Sequence, residues 1–439
     1  MSFPRYPKYK PSGVEWLGDV PEHWEVRKIR WLFEIKKRIA GDLGFDVFSI
    51  TQQGIRVKDL ESNDGQISMD YSKYQLVEVG DFAMNHMDLL TGGVDIAAAR
   101  GVTSPDYRVV TIRDQSTSHD RFFLYLFQMC YRNKIFYGFG QGSSQLGRWR
   151  LPTEQFIDFV FPLPSLAEQT AIAEFIDRET AKIDVLVAEQ QRLMELLKEK
   201  RQAVISHAVT KGLNPRVPMK PSGIEWLGDV PAHWAVRRVK SVSTFITSGP
   251  RGWSERVGEV GPIFVQSGDL NDSLQVEFST AKRVQVEQDA EAVRTRLCDG
   301  DIVVCITGAK TGNVAVCAAV PEPAYVNQHL CLIRPSREIL SVFLGVGLKS
   351  RVGQTYFELS QYGLKQGLSL DDVKEAPVLL PPMAEQKEIA EFVGIESAKF
   401  DALTAEAQRA IDLLQERRTA LISAAVTGQI DVRASLSHL

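Results

Sequence analysis

Histidine, cysteine and the carboxylates are the side chains through which proteins most often perform nucleophilic, acid–base or metal chemistry. In this sequence their spacing supports none of it. The seven histidines (His23, His86, His119, His207, His233, His329 and His438) have no Cys or Asp beside them at metal-ligand spacing. The five cysteines, Cys130, Cys298, Cys305, Cys317 and Cys331, form no CxxC pair, and an odd, irregular set reads as reduced thiols in a cytoplasmic protein. Gly308-Ala-Lys-Thr-Gly312 partly matches a phosphate loop, but GxxxxGK[ST] requires glycine where Ala309 stands. No GxSxG elbow marks an activated serine. The Asn/Asp-Pro-Pro-aromatic loop that an amino-group methyltransferase would need is also missing. The expectation is a chain without catalytic residues, without a metal, and with no cofactor of its own.

What recurs in the sequence is a frame. Lys10-Pro-Ser-Gly-Val-Glu-Trp-Leu-Gly-Asp-Val-Pro-Glu-His-Trp24 returns 210 residues later as Lys220-Pro-Ser-Gly-Ile-Glu-Trp-Leu-Gly-Asp-Val-Pro-Ala-His-Trp234. Basic residues follow each copy: Arg27, Lys28 and Arg30, then Arg237, Arg238 and Lys240. Near-identity at this length marks a duplicated module, and its His23/His233 and tryptophan pairs read as packing groups of that frame. A second repeat, offset by 217, pairs Pro164-Ser165-Leu166-Ala167-Glu168-Gln169 with Pro381-Pro382-Met383-Ala384-Glu385-Gln386. Each copy opens a long helical stretch, about 167 to 209 and about 384 to 426. Ser165 with Glu168 fits a capping box, Pro382 suits a first turn, and Gly212 and Gly428 suit helix ends.

Both stretches carry a heptad seam. In the first, one row is Ile176, Ile183, Gln190, Leu197, Val204 and the other Glu179, Leu186, Leu193, Lys200, His207. The second repeats both rows, as Val393, Phe400, Ala407, Leu414, Leu421 and Glu396, Leu403, Ala410, Arg417, Ala424. Two helices with one register are expected to pack on each other. Between the repeats lie two globules, 31–161 and 241–380, that do not align by eye. Both hold short β-type runs (Asp46-Val-Phe-Ser-Ile50, Val109-Val-Thr-Ile112, Ile263-Phe-Val-Gln266, Asp301-Ile-Val-Val-Cys-Ile306, Val314-Ala-Val316, Leu330-Cys-Leu-Ile333) and one helix candidate each, 121–134 and 337–347. The fold class is α/β (α+β): two mixed α/β domains separated by a pair of long packed helices, internally duplicated. The boundaries are 1–163 for the first frame segment and globule, 164–215 for the central helix, 216–380 for the second frame segment and globule, and 381–439 for the C-terminal helix. The N-terminal residues are polar and read as no signal peptide, and no apolar run is long enough to span a bilayer.

This layout resembles the specificity (HsdS) subunit of type I restriction-modification systems, over essentially the whole chain. The paired Trp-Leu-Gly-Asp-Val-Pro-x-His-Trp segments and Leu-Pro-x-x-x-Glu-Gln helix openings carry the resemblance. Gly80-Asp81, Gly300-Asp301-Ile302-Val303, Gly312, Ser104-Pro-Asp-Tyr107, Val265-Gln-Ser-Gly-Asp-Leu270 and Val326-Asn-Gln-His329 are similar to recurrent segments of its target-recognition domains. The resemblance implies a DNA-binding subunit that reads a bipartite, asymmetric double-stranded target, one half per globule. The helices would set the unread gap and dock methyltransferase subunits, two of them, with restriction subunits joining. S-adenosylmethionine, ATP and Mg would be used by those partners. The competing reading is a helical scaffold without DNA specificity, which leaves two divergent globules unexplained.

For DNA contact, polar glycine-flanked loops are favoured, because they let the backbone approach phosphates and project side chains to base edges. The first globule offers Gln141, Ser143, Ser144, Gln145, Arg148 and Arg150. The second offers Gln361, Tyr362, Lys365 and Gln366 at the corresponding place, with Arg251, Lys310, Thr311 and Asn313 elsewhere. The net charge of −4 requires that any such surface be local.

Overall fold

The computed structural model describes residues 3–59, 71–142, 149–287, 289–361 and 367–433. It comprises two compact units, Met1–Gln190 with Arg409–Leu439, and Gln191–Gln408. Each contains one frame segment, one globule and half of each long helix.

In the first unit the β-rich runs become β1 (Phe33–Lys36), β2 (Phe48–Thr51), β3 (Phe82–Met84), β4 (Val94–Ile96), β5 (Gly101–Thr103) and β6 (Arg108–Ile112), followed by α1 (Asp120–Arg132). The main sheet has the antiparallel order β1-β6-β3-β4. Phe122, Phe123, Leu126 and Phe127 of α1 are fully buried against it. The apolar residues at i, i+1, i+4 and i+5 form the stripe that makes this segment an amphipathic helix. In the second unit β7 (Ser243–Ser248), β8 (Val257–Val265), β9 (Ile302–Cys305), β10 (Val314–Val316), β11 (Ala324–Val326) and β12 (Leu330–Pro335) precede α3 (Ser341–Lys349) and α4 (Arg351–Ser360); the sequence reading missed α4. The sheet order β7-β12-β9-β10 repeats that of the first unit. The parallel pairing of β8 with β11 likewise repeats the Val47–Val102 bridge at β2 and β5. Two globules that do not align in sequence thus share one topology. The helix expected over 337–347 starts later, at Ser341, because the Leu340 N–H donates to the Gln386 side chain outside any helix.

The long helices, α2 (Leu166–Lys211) and α5 (Met383–Val426), form where the heptads placed them. Within each unit their halves run antiparallel. Asp184 pairs with Arg418 in the first unit (3.4 Å), and Arg201 with Asp401 in the second (2.6 Å). These are the same pair: Asp401 and Arg418 are the repeat copies of Asp184 and Arg201, so each helix donates its Asp to the other's Arg. One seam row is as expected, with Ile176, Ile183, Val393, Phe400, Ala407 and Leu421 buried. The second row is displaced by one residue. Thr180, Val187, Met194, Arg201 and Ala208 turn inward with Ser397, Thr404, Ile411, Arg418 and Ala425, while Leu186, Leu193 and Leu403 stay 43–47% exposed. A heptad pattern allows the second row three or four positions after the first. The leucines suggested three; the Asp–Arg register selects four.

The helix openings tie each globule to its frame. Ser165 Oγ accepts from the Glu168 N–H as a capping box requires. The Glu168 carboxylate, however, is spent on His23 Nε2 (3.0 Å) and Trp24 Nε1 (3.3 Å). Glu385 does the same with His233 (2.8 Å) and Trp234 (3.0 Å). The neighbouring Gln169 and Gln386 are fully buried. Gln169 accepts from the His119 N–H and donates to Thr117 and Pro164 carbonyls; Gln386 accepts from Leu340 N–H and donates to Glu338 and Pro381. The Glu-Gln and His-Trp repeats are thus two halves of one clasp.

Candidate nucleic-acid interface

Strand order brings several loops of each globule to one edge. In the second unit β8 and β11 end side by side, since Asn327 N–H donates to the Val265 carbonyl (3.0 Å). The end of β9 joins them through Ile306, which donates to the His329 carbonyl and accepts from Leu368. The edge therefore gathers residues 249–253, 266–270, 306–313, 327–329 and 367. Gly249 is required there: a Cβ would lie 2.1 Å from the Val326 carbonyl oxygen. In the first unit the matching edge gathers 51–54, 85–93, 104–107, 137–142 and 149–151. Leu151 N–H donates to His86, Leu89 N–H to Trp149, and the Gln52 amide to Leu90.

The Gly-Asp motifs anchor the opposite ends of β3 and β9, the strands that lead into these edges. Gly80 and Gly300 adopt φ of +87° and +84°, open to glycine at little cost. The following carboxylates are buried: Asp81 pairs with Arg38 (2.9 Å) and Asp301 with Arg334 (2.7 Å). Each also caps a backbone N–H, of Glu78 and Cys298 respectively.

The sequence candidates divide accordingly. Gln141 and Arg150 are exposed on the first edge, bridged to each other by backbone hydrogen bonds of 2.8 and 3.0 Å. Arg251 and Lys310 are exposed on the second, with Lys310 Nζ directed to the Gly268 carbonyl. Thr311 closes its own turn on Gly308, and the Gln361 amide returns to Phe357. Asn313 is committed inside the domain, donating to Leu270 and accepting from Lys349 (3.1 Å). Ser143, Ser144, Gln145, Arg148, Tyr362, Lys365 and Gln366 lie outside the described residues. Gln52 and His86, also on the first edge, were not among the candidates, because only the equivalence of β3 with β9 shows that residues 85–93 occupy the place of 306–313.

His86 has a distinctive charge state. Burial, with Arg108 and Arg150 adding to it, lowers its pKa to about 3. An unfolded chain takes up a proton near pH 6.5 that native His86 refuses, so stability is full above that pH and is lost as pH falls toward 3. Between pH 7 and 5 the native chain should lose about 2 kcal/mol more than a His86→Gln variant. Parallel acid losses in thermal melts of the two at both pH values would contradict this.

Two unlike loop faces on one duplicated frame define an internally repeated two-domain protein; no group of three His, Cys, Asp or Glu placed to hold a metal occurs among the described residues. The chain belongs to the family described as type I restriction modification DNA specificity domain, which matches residues 21–195 and 231–410. It is similar to the type I restriction enzyme EcoBI specificity subunit of Escherichia coli, 26% identical over 74% of this chain and 68% of that one. It is also similar to the putative type I restriction enzyme MjaX specificity subunit of Methanocaldococcus jannaschii, 21% identical over 95% and 96%. A similar fold occurs in the HsdS subunit from Thermoanaerobacter tengcongensis (TM-score 0.51, 14% identity, 93% and 98% covered). Another occurs in a structure on complex assembly and conformational transition of the type I R-M system (TM-score 0.69, 14% identity, 93% and 98% covered). No helix of the described residues is long and apolar enough to cross a membrane.

Proposed function

We propose that this chain is the non-catalytic DNA-specificity subunit of a type I restriction-modification complex, acting in the cytoplasm and reading a bipartite double-stranded target with one half per globule. The observation that carries the reading is one topology presented twice with different loops. The shared scaffold fixes the position of each edge, while unlike side chains on it read unlike bases.

Docking of methyltransferase subunits is supported by the long helices. The first unit exposes Leu186 and Leu413, and the second exposes their repeat copies Leu403 and Leu196. The same apolar pair offered by each unit suits two identical partners. Methylation and cleavage, with S-adenosylmethionine, ATP and Mg, then belong to the partner subunits.

Exchanging residues 31–161 for the corresponding globule of another family member should change one half of the methylated motif and leave the other intact. Genome-wide methylation mapping reads the result. A change in both halves, or in neither, contradicts the one-globule, one-half assignment.

A further inference from the structure

Arg108 is the most deeply buried arginine among the described residues, 4% exposed, and it has no carboxylate partner among them. Arg38, Arg201, Arg334 and Arg418 are all less buried, and each faces an Asp. Its guanidinium lies over the Phe156 ring at 4.3 Å and donates through Nη2 to the Leu151 carbonyl (3.1 Å) and Thr153 Oγ1 (3.2 Å). Nη1 is buried with no partner among the described residues. His86 is beside it, its Nδ1 also buried and without a partner among them. The His86 carbonyl holds Leu151, next to exposed Arg150. The carboxylate of the same loop, Asp88, closes its own turn on the Leu90 and Thr91 N–H groups. Tyr131, whose hydroxyl donates to the Asn85 carbonyl, completes the surroundings.

A buried guanidinium without a counter-charge is costly unless an anion arrives to meet its field. The second globule carries no charge at the equivalent position. Arg108 sits opposite Met84 on β3, and the equivalent residue opposite Val304 on β9 is Cys331.

We propose that Arg150, His86 and Arg108 form a seat for one DNA phosphodiester at the foot of the first reading loop. This rests on the DNA-specificity reading above. Arg150 makes the direct contact, and the Nε2 edge of His86 borders it. Arg108 acts from behind as a positioning residue: it pins Leu151 and Thr153, where the loop rejoins the domain, and supplies positive potential in a poorly screened site. Being a backbone contact, the seat fixes the register of the first globule on the duplex and reads no base.

The test uses the complex assembled with its methyltransferase partner and duplexes in which single phosphates of the first half-site are replaced by neutral methylphosphonates. With unmodified complex, one position should weaken binding about 10-fold. Arg150→Gln should weaken binding about 10-fold on target and random duplex alike, lower the salt slope by about one, and be indifferent to that methylphosphonate. Arg108→Met should weaken binding in the same sequence-independent way; if it fails to fold, exposed Arg150 still decides. Full affinity and salt slope in Arg150→Gln, or relaxation at a single base pair, overturns the seat while leaving the DNA-specificity reading intact. An unmodified complex that prefers no sequence overturns both.

Discussion

Replacing Arg334 with methionine should lower the melting temperature of the second unit by about 10 °C and abolish recognition of one half of the target. Arg334 grips Asp301 with both arms of its guanidinium, Nε to Oδ1 at 2.8 Å and Nη2 to Oδ2 at 2.7 Å. The carboxylate is 1% exposed, and its remaining capacity goes to the Cys298 N–H. Methionine fills much of the arginine's volume but leaves a buried anion unpaired, which costs about 3–5 kcal/mol. At 2–4 °C per kcal/mol for a unit of roughly this size, the expected shift follows. Asp301→Asn should cost less, because the stranded guanidinium is 37% exposed and can be hydrated. The double variant should recover part of the Arg334→Met loss. Recognition fails because Asp301 directly precedes β9, whose far end carries the loop 306–313. Arg38→Met should produce the same loss in the first unit, through Asp81. Calorimetry of the four variants and the parent gives the ordering. If Asp301→Asn proves worse than Arg334→Met, the carboxylate is not the group that needs rescue.

That pair also marks where sequence reading stops. Gly300-Asp301 was visible as a motif, but its partner stands 33 residues away on β12, and nothing local announces it. The frame was legible for the opposite reason: its parts recur. Two copies of His-Trp and two of Glu-Gln identified the clasp residues, and only their mutual contact needed the structure. The long helices were legible through period and capping, with one ambiguity that periodicity cannot resolve. Leu186 and Leu193 are as apolar as any seam residue, and only the Asp184–Arg418 and Arg201–Asp401 contacts show that they face outward. In the globules, strands made of continuous β-branched runs, such as Ile302–Cys305, were found. The shared topology was not, since pairing order is a long-range property that the divergent loops conceal. Among candidate contacts, Arg150, Arg251 and Lys310 are exposed, as their polarity suggested. Asn313 illustrates the limit: an amide in a glycine-rich loop can serve the loop itself.

Lengthening the helical pair by one heptad should widen the unread gap in the target by up to about three base pairs while leaving the bases of both halves unchanged. The antiparallel register fixes where the insertions go. Arg201 faces Asp401, so Leu197, four residues before, lies at the level of Ala405, four residues after. Seven residues added after Leu197 in α2 and seven after Thr404 in α5 therefore extend both helices at one level. Both seam rows continue in phase, because a heptad advances the pattern by one whole repeat. Each helix grows by roughly 10 Å at 1.5 Å per residue, and each base pair advances a duplex strand by about 3.4 Å. Rotation about the duplex axis sets how much of the length appears as gap. The Asp184–Arg418 and Arg201–Asp401 pairs and both clasps lie outside the inserted segment and persist. Insertion into α2 alone leaves α5 too short to follow, and should weaken the fold without producing a new gap. Two residues added to each helix turn the seam by about 200° at 3.6 residues per turn; they should expose Ile183 and Phe400 and prevent assembly. Methylation mapping of the paired-heptad variant is the deciding measurement. An active complex with its original gap would show that the partner subunits, and not the length of α2 and α5, determine where the two globules meet the DNA.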